Sequence, residues 1–168
     1  MVDSLALLRT LLNSVILSLA LGIIILGSLM YNARLWLQDY PKPIRDKVPP
    51  LSPAEKRDRG ILTVLFLGVL FGGVILEVYK LRTAYPGTLS FGVAYLHIFL
   101  MLAVFNLFDA LVLDLFIITL LKPRFVILPG AEGMEYLFND YRKQLADFLK
   151  GIVFCLVASL PFALIAVL

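Results

Sequence analysis

Apolar positions along this chain gather into four long runs, and polar positions are confined mainly to the stretches between them. The runs cover 5–30, 61–81, 91–121 and 148–168. A helix needs ~20 mostly apolar residues to cross a bilayer, so each run is long enough. The pattern predicts an all-α, polytopic membrane protein with one integral membrane domain over 1–168. Its four transmembrane helices are expected to form an antiparallel bundle with cytoplasmic helix extensions.

The first run contains Arg9 and a small-residue triplet, Ser18-Leu19-Ala20, which would also fit a cleavable signal. Apolar sequence continues through Ile23–Leu26, further than such a signal needs, so this run is read as a retained helix. Tyr31 and Trp36 follow it, as expected of aromatics at a membrane–water boundary. Pro41, Pro43, Pro49 and Pro50 then oppose helix and favour an extended course over 31–60. This basic stretch is expected to be a solvated or headgroup-facing loop, the alternative being a docking segment for a soluble partner.

Ser52-Pro53-Ala54-Glu55 has the form of a capping box with proline at the first helical position, and it opens the second long helix. Tyr85-Pro86-Gly87-Thr88 is a turn signal. The third helix follows, and Pro123 stops it. Phe125–Leu128 reads as a short extended segment before the Pro129-Gly130 turn. The last helix is expected to start near Glu132. Met134, Leu137, Phe138, Tyr141, Leu145, Phe148 and Leu149 give it an amphipathic first half, packed on the 31–60 segment or lying on headgroups. It then runs unbroken into the final apolar stretch, where Pro161 is a kink site.

Composition narrows the class. The 168 residues are 61% hydrophobic and 16% charged, against about 45–50% and about 25% in soluble domains. A net charge of +3 carries no nucleic-acid footprint. Cys155 and His97 are the only residues of their kinds, so no disulfide, cysteine cluster or histidine-based metal or haem site is expected. No cofactor is indicated. Three basic residues (Arg9, Lys80, Arg82) fall on the side of the termini and twelve on the side of loops 31–60 and 122–147. That asymmetry predicts a bacterial inner (plasma) membrane protein with cytoplasmic loops and both termini outside.

Three stretches, YNARLWLQDYP…VPP (Tyr31–Pro50), DALVLD, and KPRFVILPGAE followed by Tyr141, resemble a group of uncharacterised bacterial four-helix integral membrane proteins. The resemblance implies a protein of the same kind over nearly the whole chain. It brings no activity, cofactor or catalytic residue.

Small residues recur every fourth position at Ser14, Ser18 and Gly22, and again at Gly151, Cys155 and Ser159. Gly68 and Gly72 form a GxxxG pair, with Gly60 two turns earlier. These are expected helix-packing faces, within the chain or against a second copy.

Candidate chemistry sits in FNLFDALVLD, Phe105–Asp114. An ionisable residue at mid-membrane costs ~2.5–3.5 kcal/mol on insertion scales, so it normally faces protein or a wet cavity. Asn106, Asp109 and Asp114 share an arc of about 140° on an α-helical wheel, with the two acids too far apart for a dyad. His97 falls on the opposite side. A lone carboxyl at the depth of Asp109 is expected to be protonated or paired. The structural alternative has Asn106 and Asp109 bonded to Ser14, Ser18, Ser159 or backbone; Asp114, nearer the cytoplasmic surface, is within reach of Arg124 or of a basic residue on another helix. A second set, Arg9, Glu77 and His97, reads most simply as an interfacial Arg9–Glu77 ion pair.

No zinc HExxH, GxSxG elbow, phosphate-cradling glycine loop or GxGD motif is present. The membrane enzyme reading, with an acid as proton donor to a lipid-like substrate, therefore ranks last. The first reading is a structural or accessory subunit, a homo-oligomer or part of a larger membrane complex. The alternative is binding or transport of a proton, cation or small amphiphile around Asp109, with His97 as a further candidate.

Overall fold

The computed structural model describes residues 3–87 and 89–168. Among these the secondary structure is entirely helical. Four helices are long and apolar enough to cross a membrane. The first, α1, is Ser4–Asn32, and a 3-10 stretch Ala33–Asp39 continues it. A short helix α2, Lys42–Lys47, leads to α3, Pro53–Ala84. Next come α4, Phe91–Phe108, its π-helical continuation Asp109–Leu121, and α5, Tyr141–Val167.

Local chemistry explains most boundaries. Asp3 caps α1 by accepting from the Leu5 amide. Ser52 and Glu55 close the expected capping box at the start of α3, with Pro53 in the first turn. Ser90 caps α4. Gly87 takes positive φ in the turn that joins α3 to α4, and Thr88 lies outside the described residues. The Asp3 amide donates to the Tyr85 hydroxyl at 2.8 Å, which sets the start of α1 beside the end of α3.

The long helices share two apolar cores. In the first, Leu17 and Leu21 of α1 meet Val74 and Val78 of α3, Ala94 and Ile98 of α4 and Ala163 of α5. In the second, at the loop end, Ile25 and Leu29 meet Tyr40, Ile44, Leu113, Val126 and Phe138. Tyr40 ties the second core together. Its ring meets Phe138 edge-on at 5.9 Å, and its hydroxyl donates to the Val126 carbonyl at 2.8 Å. Burial, with a smaller effect of nearby Asp39, pushes the Tyr40 phenol up, so it stays a protonated donor. On the other flank Arg34 pairs with Glu55 at 2.6 Å and donates to the carbonyls of Pro49 and Pro50.

Several expectations fail here, each for a local reason. Residues 31–60 are not mainly extended. Pro43 sits in the first turn of α2, where proline costs nothing because that amide has no helical partner. The expected extended segment at Phe125–Leu128 begins as a 3-10 turn, Arg124–Val126. The last helix does not start at Glu132. Glu135–Asn139 forms a separate 3-10 turn, and Asp140 caps α5 by accepting from the Lys143 amide at 3.0 Å. The amphipathic stripe divides at that break. Met134, Leu137 and Phe138 pack on the second core, whereas Tyr141, Leu145 and Leu149 face outward.

Packing by small residues is also redistributed. Ser14, Ser18, Gly22, Cys155 and Ser159 are buried as expected. A Cβ on Gly22 would lie 2.8 Å from the Phe108 ring, so that helix approach needs glycine. Gly68 and Gly72 do not serve packing within the chain, because a Cβ on either would meet nothing within 4 Å. Gly73 takes that part instead: a Cβ there would lie 2.8 Å from the Leu17 side chain.

Candidate functional site

The deviation that shapes the site is the backbone from Asp109 to Leu121. Over these 13 residues α4 continues with i→i+5 bonding, ending where the Lys122 amide donates to the Ile117 carbonyl at 3.0 Å. Lys122 then turns into the left-handed region (φ 46°) and ends the helix. π-helix normally occurs as single turns and often marks functional sites, so a run of this length is unusual. Its consequence is angular. Residues five apart diverge by about 140° on an α-helix. In an i→i+5 ladder they diverge less, and Asp109 and Asp114 both line one cavity. The cavity takes in both acids of the shared arc but not Asn106.

The cavity has a volume of about 540 Å³ and lies at the loop end. Asp109 and Asp114 form one wall, and Asp140, Lys143, Gln144 and Asp147 of the α5 start form another. Asp39, Tyr40 and Trp36 close it from the segment after α1. Its floor is apolar, with Ile25, Leu29, Leu113 and Ile118. Five aspartates thus face one lysine. Asp147 is engaged by Lys143 at 2.7 Å and Lys150 at 2.9 Å, and Asp140 is occupied as the α5 cap. Among the described residues, neither the Asp109 nor the Asp114 carboxylate has a protein hydrogen-bond or ion-pair partner; both open on the cavity. The expected Asp114–Arg124 contact is not formed among them. Gln144 donates to Thr119 and to the Phe138 carbonyl, which locks the π segment to the α5 start.

The other sequence candidates lie elsewhere. Asn106 is outside the cavity: its amide donates to the Phe148 carbonyl at 3.2 Å and packs against Gly151. Ser14, Ser18 and Ser159 bond the carbonyls of Thr10, Ser14 and Cys155, so none of them solvates Asp109. His97 is fully buried at the opposite end with Thr10 and Glu77. Arg9 and Glu77 line a second cavity, but no ion pair joins them among the described residues; Glu77 is bonded by Thr10 and Asn13 instead.

Asp39, Asp140, Lys143, Gln144 and Asp147 were not singled out from the sequence. The signal was available for the last four. Spaced three and four apart, they put one polar stripe on the first two turns of α5. Among the described residues, no group of three or more His, Cys, Asp or Glu is placed to hold a metal ion. Comparisons with family models, curated proteins and solved structures return no match.

The Asn106–Gly151 contact gives a direct test of the α4–α5 seam. A methyl at Gly151 falls on the Asn106 amide. Gly151→Ala is expected to destabilise the protein by about 1–3 kcal/mol through overpacking. Adding Asn106→Ala should restore most of that loss, read as the thermal unfolding midpoint of the purified protein. Equal, additive losses would place the two residues out of contact.

Proposed function

We propose that this chain is an integral membrane protein that binds a small amphiphilic cation in the acidic cavity at its loop end. The observation that carries the reading is the pair of partnerless carboxylates, Asp109 and Asp114, aimed into a cavity of about 540 Å³ with an apolar floor. A carboxylate held away from bulk water needs a counter-charge, and a cationic headgroup supplies one through charge-assisted hydrogen bonds. The apolar floor would take the rest of an amphiphile. Trp36 adds an aromatic wall on which a cation can rest. The absence of a metal-ligand set among the described residues favours an organic cation over a coordinated metal ion.

Membrane insertion is part of the proposal. Its support is the apolar outer surface of the long helices α1, α3 and α5: Ile16, Ile23, Val64, Val153 and Val157 are all 60% exposed or more. Such a surface suits hydrocarbon and not water. From the excess of basic residues at the loop end we infer that this end, and the cavity mouth, faces the cytoplasm, with both termini outside.

A second reading, a structural subunit of a homo-oligomer or larger complex, is favoured by one feature. Gly68 and Gly72 leave a shallow, uncovered face on α3, the kind of face on which a second helix packs closely. The two readings are compatible.

The binding proposal is tested with the alkylammonium cation octylammonium and equilibrium dialysis of the purified protein. Saturable binding is expected, weakened about tenfold or more in Asp109→Asn/Asp114→Asn, as loss of a buried opposite charge implies. Lys143→Met should tighten it. Binding unchanged in the double variant would sink the proposal. For topology, cysteines are introduced at Arg45 and Arg142 in a Cys155→Ser background. Both should react with a membrane-impermeant maleimide only after the cytoplasmic face is opened, and labelling in intact cells would reverse the orientation.

A further inference from the structure

The end of the molecule away from the acidic cavity holds a second polar cluster, built from three helices. Thr10 of α1, Glu77 of α3 and His97 of α4 are all buried, at 0%, 2% and 0% exposure. The Thr10 hydroxyl lies 2.6 Å from His97 Nδ1 and in short contact with Glu77 Oε1. Asn13 donates to Glu77 Oε2 at 2.8 Å, and Lys80 donates to Asn13 at 2.9 Å. The small-residue stripe of α1 explains the placement: Thr10 lies one turn before Ser14 on the same buried face.

A hydroxyl has one proton and two lone pairs. The Thr10 hydroxyl can also donate to the Ala6 carbonyl at 3.2 Å; when its proton turns to Glu77 or His97 instead, it bridges these two in one of two senses. In the first, the Glu77 carboxyl donates to Thr10 and Thr10 donates to His97 Nδ1. In the second, His97 Nδ1–H donates to Thr10 and Thr10 donates to the Glu77 carboxylate. Going from the first to the second moves one proton from Glu77 to Thr10 and one from Thr10 to His97. One O–H bond breaks and re-forms on threonine, one O–H is lost from glutamic acid, and one N–H forms. No other reactant is needed.

Two further observations give this bridge a use. Glu77 lines a cavity of about 540 Å³ between α1 and α3, whose polar side is formed with Arg9, Asn13 and Lys80. His97 Nε2 is buried with no hydrogen-bond partner. A polar residue kept only for packing normally satisfies both of its ends. We propose that Glu77, Thr10 and His97 form a proton-binding site, loaded at Glu77 from this cavity and holding the proton on His97 between the helices. The site is separate from the acidic cavity and does not depend on it.

The charges around His97 fit such a site. Glu77 on α3 is the anion that balances an imidazolium. Arg9 on α1 and Lys80 on α3 stand on the far side of Glu77, lining its cavity. Arg82 is engaged by the carbonyls of Ile165 and Ala166. Tyr85 meets the imidazole edge-on at 6.3 Å, and Tyr95, on α4 itself, donates to the Leu156 carbonyl. Over 151–168, α5 contributes only Cys155 as a titratable side chain.

His97 is the single histidine in the chain, so ¹⁵N-histidine labelling reads this site alone. The ring nitrogen shifts of the protein in lipid nanodiscs would be followed from pH about 8 to about 4, the range in which imidazole changes charge. Wild-type His97 is expected to gain a proton over this range. In Glu77→Gln the protonated fraction at pH about 6 should fall tenfold or more, because the balancing carboxylate is gone. Thr10→Val should slow proton exchange at Nδ1 and Thr10→Ser should restore it, a pair that holds even where Glu77→Gln folds poorly. One protonation state throughout in wild type, or identical titrations in wild type and Glu77→Gln, would overturn the proposal.

Discussion

Backbone hydrogen bonding from residue i to i+5 between Asp109 and Leu121 sets the register in which α4 presents its acids. An α-helical ladder over the same residues would send Asp114 away from Asp109, toward a neighbouring helix or lipid. The wider ladder turns both toward the space between α1, the segment after it and the start of α5. The rest of the loop end is arranged to hold this segment. Leu113 is buried in the second core, and Thr119 is held by Gln144 and the Phe138 carbonyl. Tyr40 clamps the strap that closes the cavity, and the left-handed turn at Lys122 ends the ladder.

The two ends of the molecule solve the burial of polar groups differently. At the loop end the carboxylates keep contact with a cavity, and apolar side chains form its floor. At the other end Thr10, Glu77, Asn13 and His97 satisfy one another across three helices, with one imidazole nitrogen left over. Between them Leu21, Val74, Ile98 and Ala163 fill the space with apolar packing. The polar clusters are thus separated by a dry layer, which keeps each one's electrostatics local.

Much of the architecture was legible in the residues. The four apolar runs became the four long helices. Ser52 and Glu55 formed the expected box, because both cap interactions lie within four residues and need no tertiary help. What failed was local at Pro43 and Asp140, and tertiary at the glycines. Pro43 was compatible with helix once it fell in a first turn. Asp140 took the cap that Glu132 was expected to precede. Gly73 rather than Gly68 or Gly72 met α1, since only the packed structure decides which face of an evenly apolar helix turns inward. The site was half visible. Asp109 and Asp114 stood out as costly acids on one arc of an apolar run, but the π ladder that sets their register, and the departure of Asn106 to the Phe148 carbonyl, left no mark in the residues. Thr10 was one step beyond the stripe already noted at Ser14, Ser18 and Gly22.

The register of Asp109 and Asp114 is open to direct measurement. In a Cys155→Ser background, Asp109→Cys and Asp114→Cys are combined and cadmium binding is compared with that of each single variant. The pair Asp109→Cys and Leu113→Cys, which both helix geometries bring together, serves as the control. If the π ladder holds, the 109/114 pair should chelate one cadmium ion much more tightly than either single variant, as the control pair does. Tight chelation by the control with only single-site affinity at 109/114 would mean an α-helix here, and the shared acidic cavity would not exist.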